Sequence, residues 1–243
     1  RSTVATYAGV HDELRRIFAR LPQAKEKGYK AGDFSYNTGS LRCPTCDGTG
    51  QISLDVQFLP DVDIPCPDCR GSRYGKEAEA VLYPAPDGKG YSLPQLMAMD
   101  VRQAMEVCSG MKLVRGRLQV LDSLGLGYLT LGEQTPSLSG GEAQRLKLAS
   151  EMGRPQSDAV FIFDEPTIGL HPLDVRTLLA VFETLIRSGA TVIVIEHDLD
   201  LIRNADYIVD MGPGGGEEGG QIVAAGTPEE VKAAKESVTG RFL

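Results

Sequence analysis

The chain has 243 residues, a formal net charge of −8 and 42% hydrophobic residues, of which few are aromatic. This is enough to bury a sizeable core in one large domain or two small ones, and the composition excludes bulk disorder, collagen and coiled coil. The acidic excess argues against a surface that coats nucleic acid indiscriminately, and no apolar run approaches the ~18–20 residues that span a bilayer.

The chain starts Arg1-Ser2-Thr3-Val4, with no signal-peptide apolar region, so a soluble cytoplasmic protein without a membrane partner is expected. Thr3 to Gly28 reads as a helix after a turn, because Val10, Leu14, Ile17, Phe18 and Leu21 recur at helical spacing. Its Arg15, Arg16 and Arg20 form either a solvated face or a nucleic-acid contact; residues 1–42 hold eight Lys or Arg against four Asp or Glu. From Pro155 onward the balance reverses to six against fifteen. Lys27 to Gly39 reads as loop. Gln51 to Leu59 alternates Ile52, Leu54, Val56, Phe58 as a half-buried strand, Pro60-Asp61 turns the chain, and Asp63-Ile64-Pro65 brings it back. Tyr83 to Gly90 is a Pro/Gly turn region. Ser92 to Leu126 is mostly helical, with Leu96, Met97, Val101, Met105, Val107, Leu113, Val114, Leu118, Val120 and Leu121 as core candidates and Cys108 as a packing residue. A helix runs from Gly141 to Met152. Beyond Ser157 the apolar runs Val160–Phe163, Val192–Ile195 and Tyr207–Val209 alternate with helices over Leu173–Ser188 and Asp200–Asn204, which predicts an α/β layer with a largely parallel sheet. A strand over Gln221–Gly226 precedes a helix start with Thr227 at N-cap, Pro228 at N1 and Glu230 at N3.

Four of the five cysteines fall in Cys43-Pro44-Thr45-Cys46 and Cys66-Pro67-Asp68-Cys69. Two such pairs joined by a hairpin can place four thiolates on one tetrahedral zinc; with every position filled by Cys no site is left open for catalysis, so structural zinc is expected, with a redox or disulfide role as the alternative. Gly48 and Gly71, each two residues after the second Cys of its pair, let the knuckles turn tightly with amides aimed at sulfur.

Leu138-Ser139-Gly140-Gly141-Glu142 opens the next helix. Ser139 is there either an ordinary N-cap or, with the amides of Gly140 and Gly141, part of a phosphate site at the positive helix end. Asp164 and Glu165 close a buried-strand run, where α/β folds place ligands. Asp164 suits Mg²⁺, commonly through water, and Glu165 suits polarising an attacking water. His197 ends the next strand and can reach a γ-phosphate, and Asp174 can order a loop facing a second nucleotide-binding half. No G-x-x-x-x-G-K-[ST] phosphate loop occurs in the sequence.

The order LSGGE, FIFDEPTIGLHPLD, VIVIEHD resembles the ABC ATPase superfamily. With FSYNTGSLRCPTCDGTG and FLPDVDIPCPDCRGSRY ahead of it, the chain resembles the UvrA family of damage-recognition ATPases in nucleotide excision repair, from about Arg1 to Gly226. The resemblance implies the C-terminal part of the second ABC unit: a P-loop NTPase fold lacking its Walker A strand and loop, with a helical signature subdomain carrying a zinc-bound hairpin. It divides the chain into a helical and loop segment (1–42), a zinc module (43–75), the signature subdomain (76–156) and a Walker B, D-loop and switch-histidine lobe (157–243). It implies the nucleotide-site signature for Ser139, Gly140, Gly141 and Glu142, the Walker B pair for Asp164 and Glu165, the D-loop acid for Asp174, the switch histidine for His197, and zinc for Cys43, Cys46, Cys66 and Cys69. ATP, Mg²⁺, damaged duplex DNA, a UvrB-type helicase subunit and a second copy are the implied ligands and partners. Tyr36 to Leu41 replaces a more glycine-rich run, and Ile168 stands where Thr is frequent, which suits a UvrA-like paralogue, as in drug resistance. The rival readings are a transport ATPase subunit and, from the C-x-x-C-x-G-x-G of Cys43–Gly50, a DnaJ-like zinc module without enzymatic function. Negligible ATPase activity in this chain alone and an uncovered apolar sheet surface are expected.

Overall fold

The structure, a computed structural model, describes residues 2–54, 62–152, 158–170, 172–212, 214 and 219–243, with the backbone alone at 54, 62 and 172–174. The chain divides into two compact units, Arg1–Gly153 and Arg154–Leu243.

The first unit opens with α1 (Val4–Tyr7), α2 (Val10–Phe18) and α3 (Pro22–Glu26). The single helix expected over Thr3–Gly28 is therefore three. Gly9 breaks it with a left-handed φ of 69°, and Leu21 is extended before Pro22, as the residue ahead of a proline prefers. Val10, Leu14 and Phe18 of the expected stripe are buried. Arg15 and Arg16 reach back to Asp12 and Glu13 at 3.3 and 2.6 Å, so their charge is partly spent within α2.

The cysteine module contains β1 (Gln51–Leu54) and β2 (Val62–Pro65), antiparallel with Gln51 opposite Pro65. The hairpin reading holds there; Val56, Phe58 and the Pro60-Asp61 turn lie outside the described residues. Next come α4 (Lys76–Glu79) and a second hairpin, β3 (Leu82–Pro84) with β4 (Gly90–Ser92), where only a turn was expected. Ser92 to Leu126 is helical but segmented into α5 (Leu93–Ala98), α6 (Val101–Val107) and α7 (Lys112–Ser123). Capping boxes at Ser92 and Asp100 start the first two. Leu96, Met97, Val101, Val114, Leu118, Leu121 and Cys108 are buried, whereas Leu113 is 66% exposed, on the outer side of α7.

Residues 129–135 lead to the last helix of this unit, α8 (Gly140–Glu151). They are held on both sides. Leu131 and Gly132 N–H groups donate to Met99 and Met97, while Val4 and Ala5 donate to Glu133 and Leu131. The start of α8 therefore hangs from a backbone ladder rather than a free loop.

The second unit has β5 (Val160–Asp164) parallel to β6 (Thr191–Ile195), with α9 (Pro172–Arg187) between them in sequence. Val175, Leu178, Val181, Phe182 and Leu185 form the buried stripe of α9, and Phe182 meets Phe163 of β5 at 4.9 Å between ring centroids. The other face of the strand pair leaves Val160, Ile162, Ile193 and Ile195 about half to two-thirds exposed, the uncovered apolar surface expected from the sequence. After α10 (Leu199–Arg203), β7 (Ile208–Gly212) pairs with β8 (Gln221–Gly226) in antiparallel sense. Among the described residues the largely parallel sheet is thus one parallel pair and one antiparallel pair. The helix α11 (Pro228–Ala233) begins with the expected Thr227–Glu230 capping box.

Candidate functional site

The cysteines converge first. The Sγ atoms of Cys43, Cys46, Cys66 and Cys69 all lie within 4.8 Å of one another. Cys43 and Cys66 are 3.9 Å apart and Cys46 and Cys69 3.6 Å. Zinc–sulfur bonds of ~2.3 Å in a tetrahedron set sulfurs ~3.8 Å apart, so the four fit one zinc-sized ion. The knuckles supply the outer support: Gly50 N–H donates to Cys46 Sγ at 3.2 Å. Gly48 and Gly71 both have positive φ, 76° and 88°, and a Cβ on Gly48 would overlap the Tyr36 carbonyl. Burial pushes the Cys69 thiol up to about 12; at Cys46 burial acts the same way, but the Gly50 N–H and neighbouring thiols bring it down to about 7. Cys108, alone in the helical core, is pushed up to about 12 by burial and is a packing group.

Ser139 caps α8 in a full capping box. Its hydroxyl accepts from Glu142 N–H at 3.3 Å, and its own N–H donates to Glu142 Oε2 at 2.6 Å. Both residues are accessible, and a Cβ built on Gly140 meets nothing within 4 Å, so the helix start is open to an approaching ligand. The second Glu142 oxygen, Oε1, accepts from the Tyr128 hydroxyl. Burial and the Glu142 charge push Tyr128 up to about 12, so it stays a donor at any physiological pH. Partial burial opposes ionisation of Glu142, yet the Tyr128 and Ser139 donors hold it below its ordinary value. Tyr128→Phe is expected to loosen this cap and cost about 1 kcal/mol, the usual worth of one hydrogen bond. A urea midpoint unchanged from the parent chain would contradict this.

In the second unit, Asp164 and Glu165 stand at the C-terminal end of β5. Glu165 N–H continues the parallel ladder to Ile195 O at 2.9 Å. Glu165 then turns with φ 46°, a left-handed conformation costing a non-glycine residue roughly 1 kcal/mol or more. Its Oε1 lies 3.5 Å from Nε2 of His197, whose side chain is 86% exposed. Asp164, the residue before Glu165, is exposed. Asp174 lies on the first turn of α9, and its side chain falls outside the described residues.

Two groups escaped the sequence reading. Tyr128 carries no motif and works through a partner fourteen residues on. Glu196 is quoted beside His197 in VIVIEHD, yet its contacts with Thr167 span 29 residues.

A capped, glycine-bearing helix in one unit, and adjacent parallel strands ending in Asp164-Glu165 and His197 in the other, define an α/β chain. No protein-family profile matches it. Its whole length is 49% identical to UvrABC system protein A of Bacillus subtilis and 48% to that of Streptococcus pyogenes serotype M1, covering 25% of each. The crystal structure of UvrA2 from Deinococcus radiodurans superposes over the whole chain with a TM-score of 0.87 at 43% identity, using 29% of the UvrA2 chain. The chain is homologous over its whole length to UvrABC system protein A and spans about a quarter of that protein's length.

Proposed function

We propose that this chain supplies the signature helix, Walker B pair and switch histidine of a longer, cytoplasmic UvrA-type ATPase that recognises damaged duplex DNA in excision repair. The observation that carries the reading is the 3.5 Å approach of Glu165 and His197 at the ends of adjacent parallel strands, the place where α/β folds bind ligands. Glu165 polarises the attacking water, and His197 contacts the γ-phosphate. Asp164 would hold Mg²⁺ through water, which would neutralise phosphate charge. Ser139 with the Gly140 and Gly141 amides completes a nucleotide site opposite a cassette that brings the phosphate loop, and Asp174 orders the facing loop. Homodimerisation brings such halves together. ATP turnover then changes dimer shape and with it the grip on DNA and on a UvrB-type subunit. The zinc module and the basic residues of the first 42 positions favour DNA contact at the front of the chain.

In the whole UvrA-type protein, Glu165→Gln is expected to lower kcat for ATP by about 10²-fold or more while ATP still binds. Undiminished turnover would refute the reading. The chain by itself should hydrolyse no ATP, because it has no Lys and amide cradle for the β- and γ-phosphates; turnover by the purified chain that Glu165→Gln abolishes would overturn that part.

A further inference from the structure

Glu196 lies between β6 and α10, immediately before His197, and both of its carboxylate oxygens are used twice. Oε1 accepts from the Thr167 N–H at 2.9 Å and from the Thr167 hydroxyl. Oε2 accepts from the N–H groups of His197 at 2.7 Å and Asp198 at 3.1 Å. The four donors come from two loops only. One follows Asp164-Glu165, and its turn is closed by Ile168 N–H on the Glu165 carbonyl at 3.2 Å. The other carries His197 and ends at Asp198, which caps α10.

We infer that Glu196 is a positioning residue that ties the Glu165 loop to the His197 loop and so sets the separation at which water and phosphate meet. The inference rests on the ATPase reading above. Glu165 needs such a tie because its left-handed backbone is held only where surrounding contacts over-determine it. A carboxylate suits the task because the four described groups bonded to it are all donors. A glutamine would turn an NH₂ toward N–H groups and lose one loop or the other. Partial burial opposes ionisation of Glu196, yet the Thr167 donors, then Asp198 and His197, hold its carboxyl below its ordinary 4.5, so the tie is charged at neutral pH.

The test is steady-state ATP hydrolysis by the whole UvrA-type protein carrying Glu196→Gln, Thr167→Val, Glu165→Gln and the Glu196→Gln/Glu165→Gln pair. Glu196→Gln is expected to lower kcat tenfold or more with KM for ATP changed less than about twofold, and to add nothing to Glu165→Gln. Thr167→Val removes one donor without disturbing Glu196, and should lower kcat by a smaller factor. Hydrogen exchange at the Thr167, His197 and Asp198 amides should quicken in Glu196→Gln. If Glu165→Gln is inactive while Glu196→Gln keeps full kcat, or lowers it additively, the positioning role falls and the ATPase reading stands. If Glu165→Gln itself keeps full turnover, the ATPase reading falls and takes the positioning role with it.

Discussion

Stripping the metal from Cys43, Cys46, Cys66 and Cys69 is expected to unfold the hairpin of β1 and β2 while the helices of the first unit stay folded. Among its described residues the module has little core of its own. Its buried cluster is Cys43, Cys46 and Cys66, with Ile52 and Cys69 packed against it. Burying one isoleucine yields about 1.5–3 kcal/mol, whereas ordering each residue costs about 1–2 kcal/mol of backbone entropy. The apolar burial described here falls short of that cost, and a metal bound by the four thiolates would make up the difference. Structural zinc binding is worth about 10–16 kcal/mol in small metal-folded peptides, which offsets that entropy. The base of the module is anchored separately: Cys43 N–H donates to Arg73 O and Gly75 N–H to Leu41 O, both at 2.9 Å. Loss of order should therefore stop near Arg42 and Tyr74. Elemental analysis should find one zinc per chain, and none in Cys66→Ser. In the chelated, reduced chain the amides of Gln51–Leu54 and Val62–Pro65 should exchange quickly, with α5 to α8 still protected. Protected hairpin amides in metal-free protein would show that the cysteines pack without an ion.

What the sequence made legible was chemistry set by near neighbours. The cysteine pairs, the Thr227 cap and the Ser139 cap depend on residues three or four positions apart, and each stands in the structure as read. The breaks at Gly9 and Pro22 were also written locally, but the continuous stripe from Val10 to Leu21 concealed them. The hairpin of β3 and β4 was not legible because three-residue strands are too short to show a period. Leu113 reads as core by type and is exposed because Val114, Leu118 and Leu121 form the buried face of α7. The site divides the same way. Asp164, Glu165 and His197 sit in motifs, whereas Glu196 and Tyr128 act through partners that only folding brings near. A tyrosine in a loop and a glutamate after a strand carry no periodic signal that could single them out.

The first unit should lose about 3 kcal/mol of stability between pH 6.5 and pH 4, and His11 is the reason. His11 on α2 is 2% exposed, with Nε2 2.7 Å from the Tyr74 hydroxyl. That hydroxyl has one proton and gives it to the Phe34 carbonyl at 2.9 Å, so Nε2 carries the hydrogen and donates. The ring is neutral, stacked at a tilt 4.8 Å from Tyr36, which also meets Tyr74 edge-on and the Arg73 guanidinium. A second proton would place charge where burial penalises it and where Arg15 and Arg73 repel it, against weaker help from Asp12; the pKa falls from 6.5 to about 4. The folded pKa is the depressed one, so the unfolded chain takes up the proton first as pH falls. The stability is whole above pH 6.5, declines by about 1.4 kcal/mol per pH unit below it, and stops declining near pH 4 where the folded ring also titrates. His11→Gln keeps a donor for Tyr74 and has no proton to gain, so its urea-derived stability should slope less from pH 7 to pH 5 than that of the parent chain. Equal slopes in the two proteins would exclude His11 as the cause, and an NMR titration placing the His11 pKa near 6.5 would do so independently. Because Tyr74 also closes the base of the cysteine module through its bridge to Arg42, the same protonation is expected to loosen that base before the helices melt.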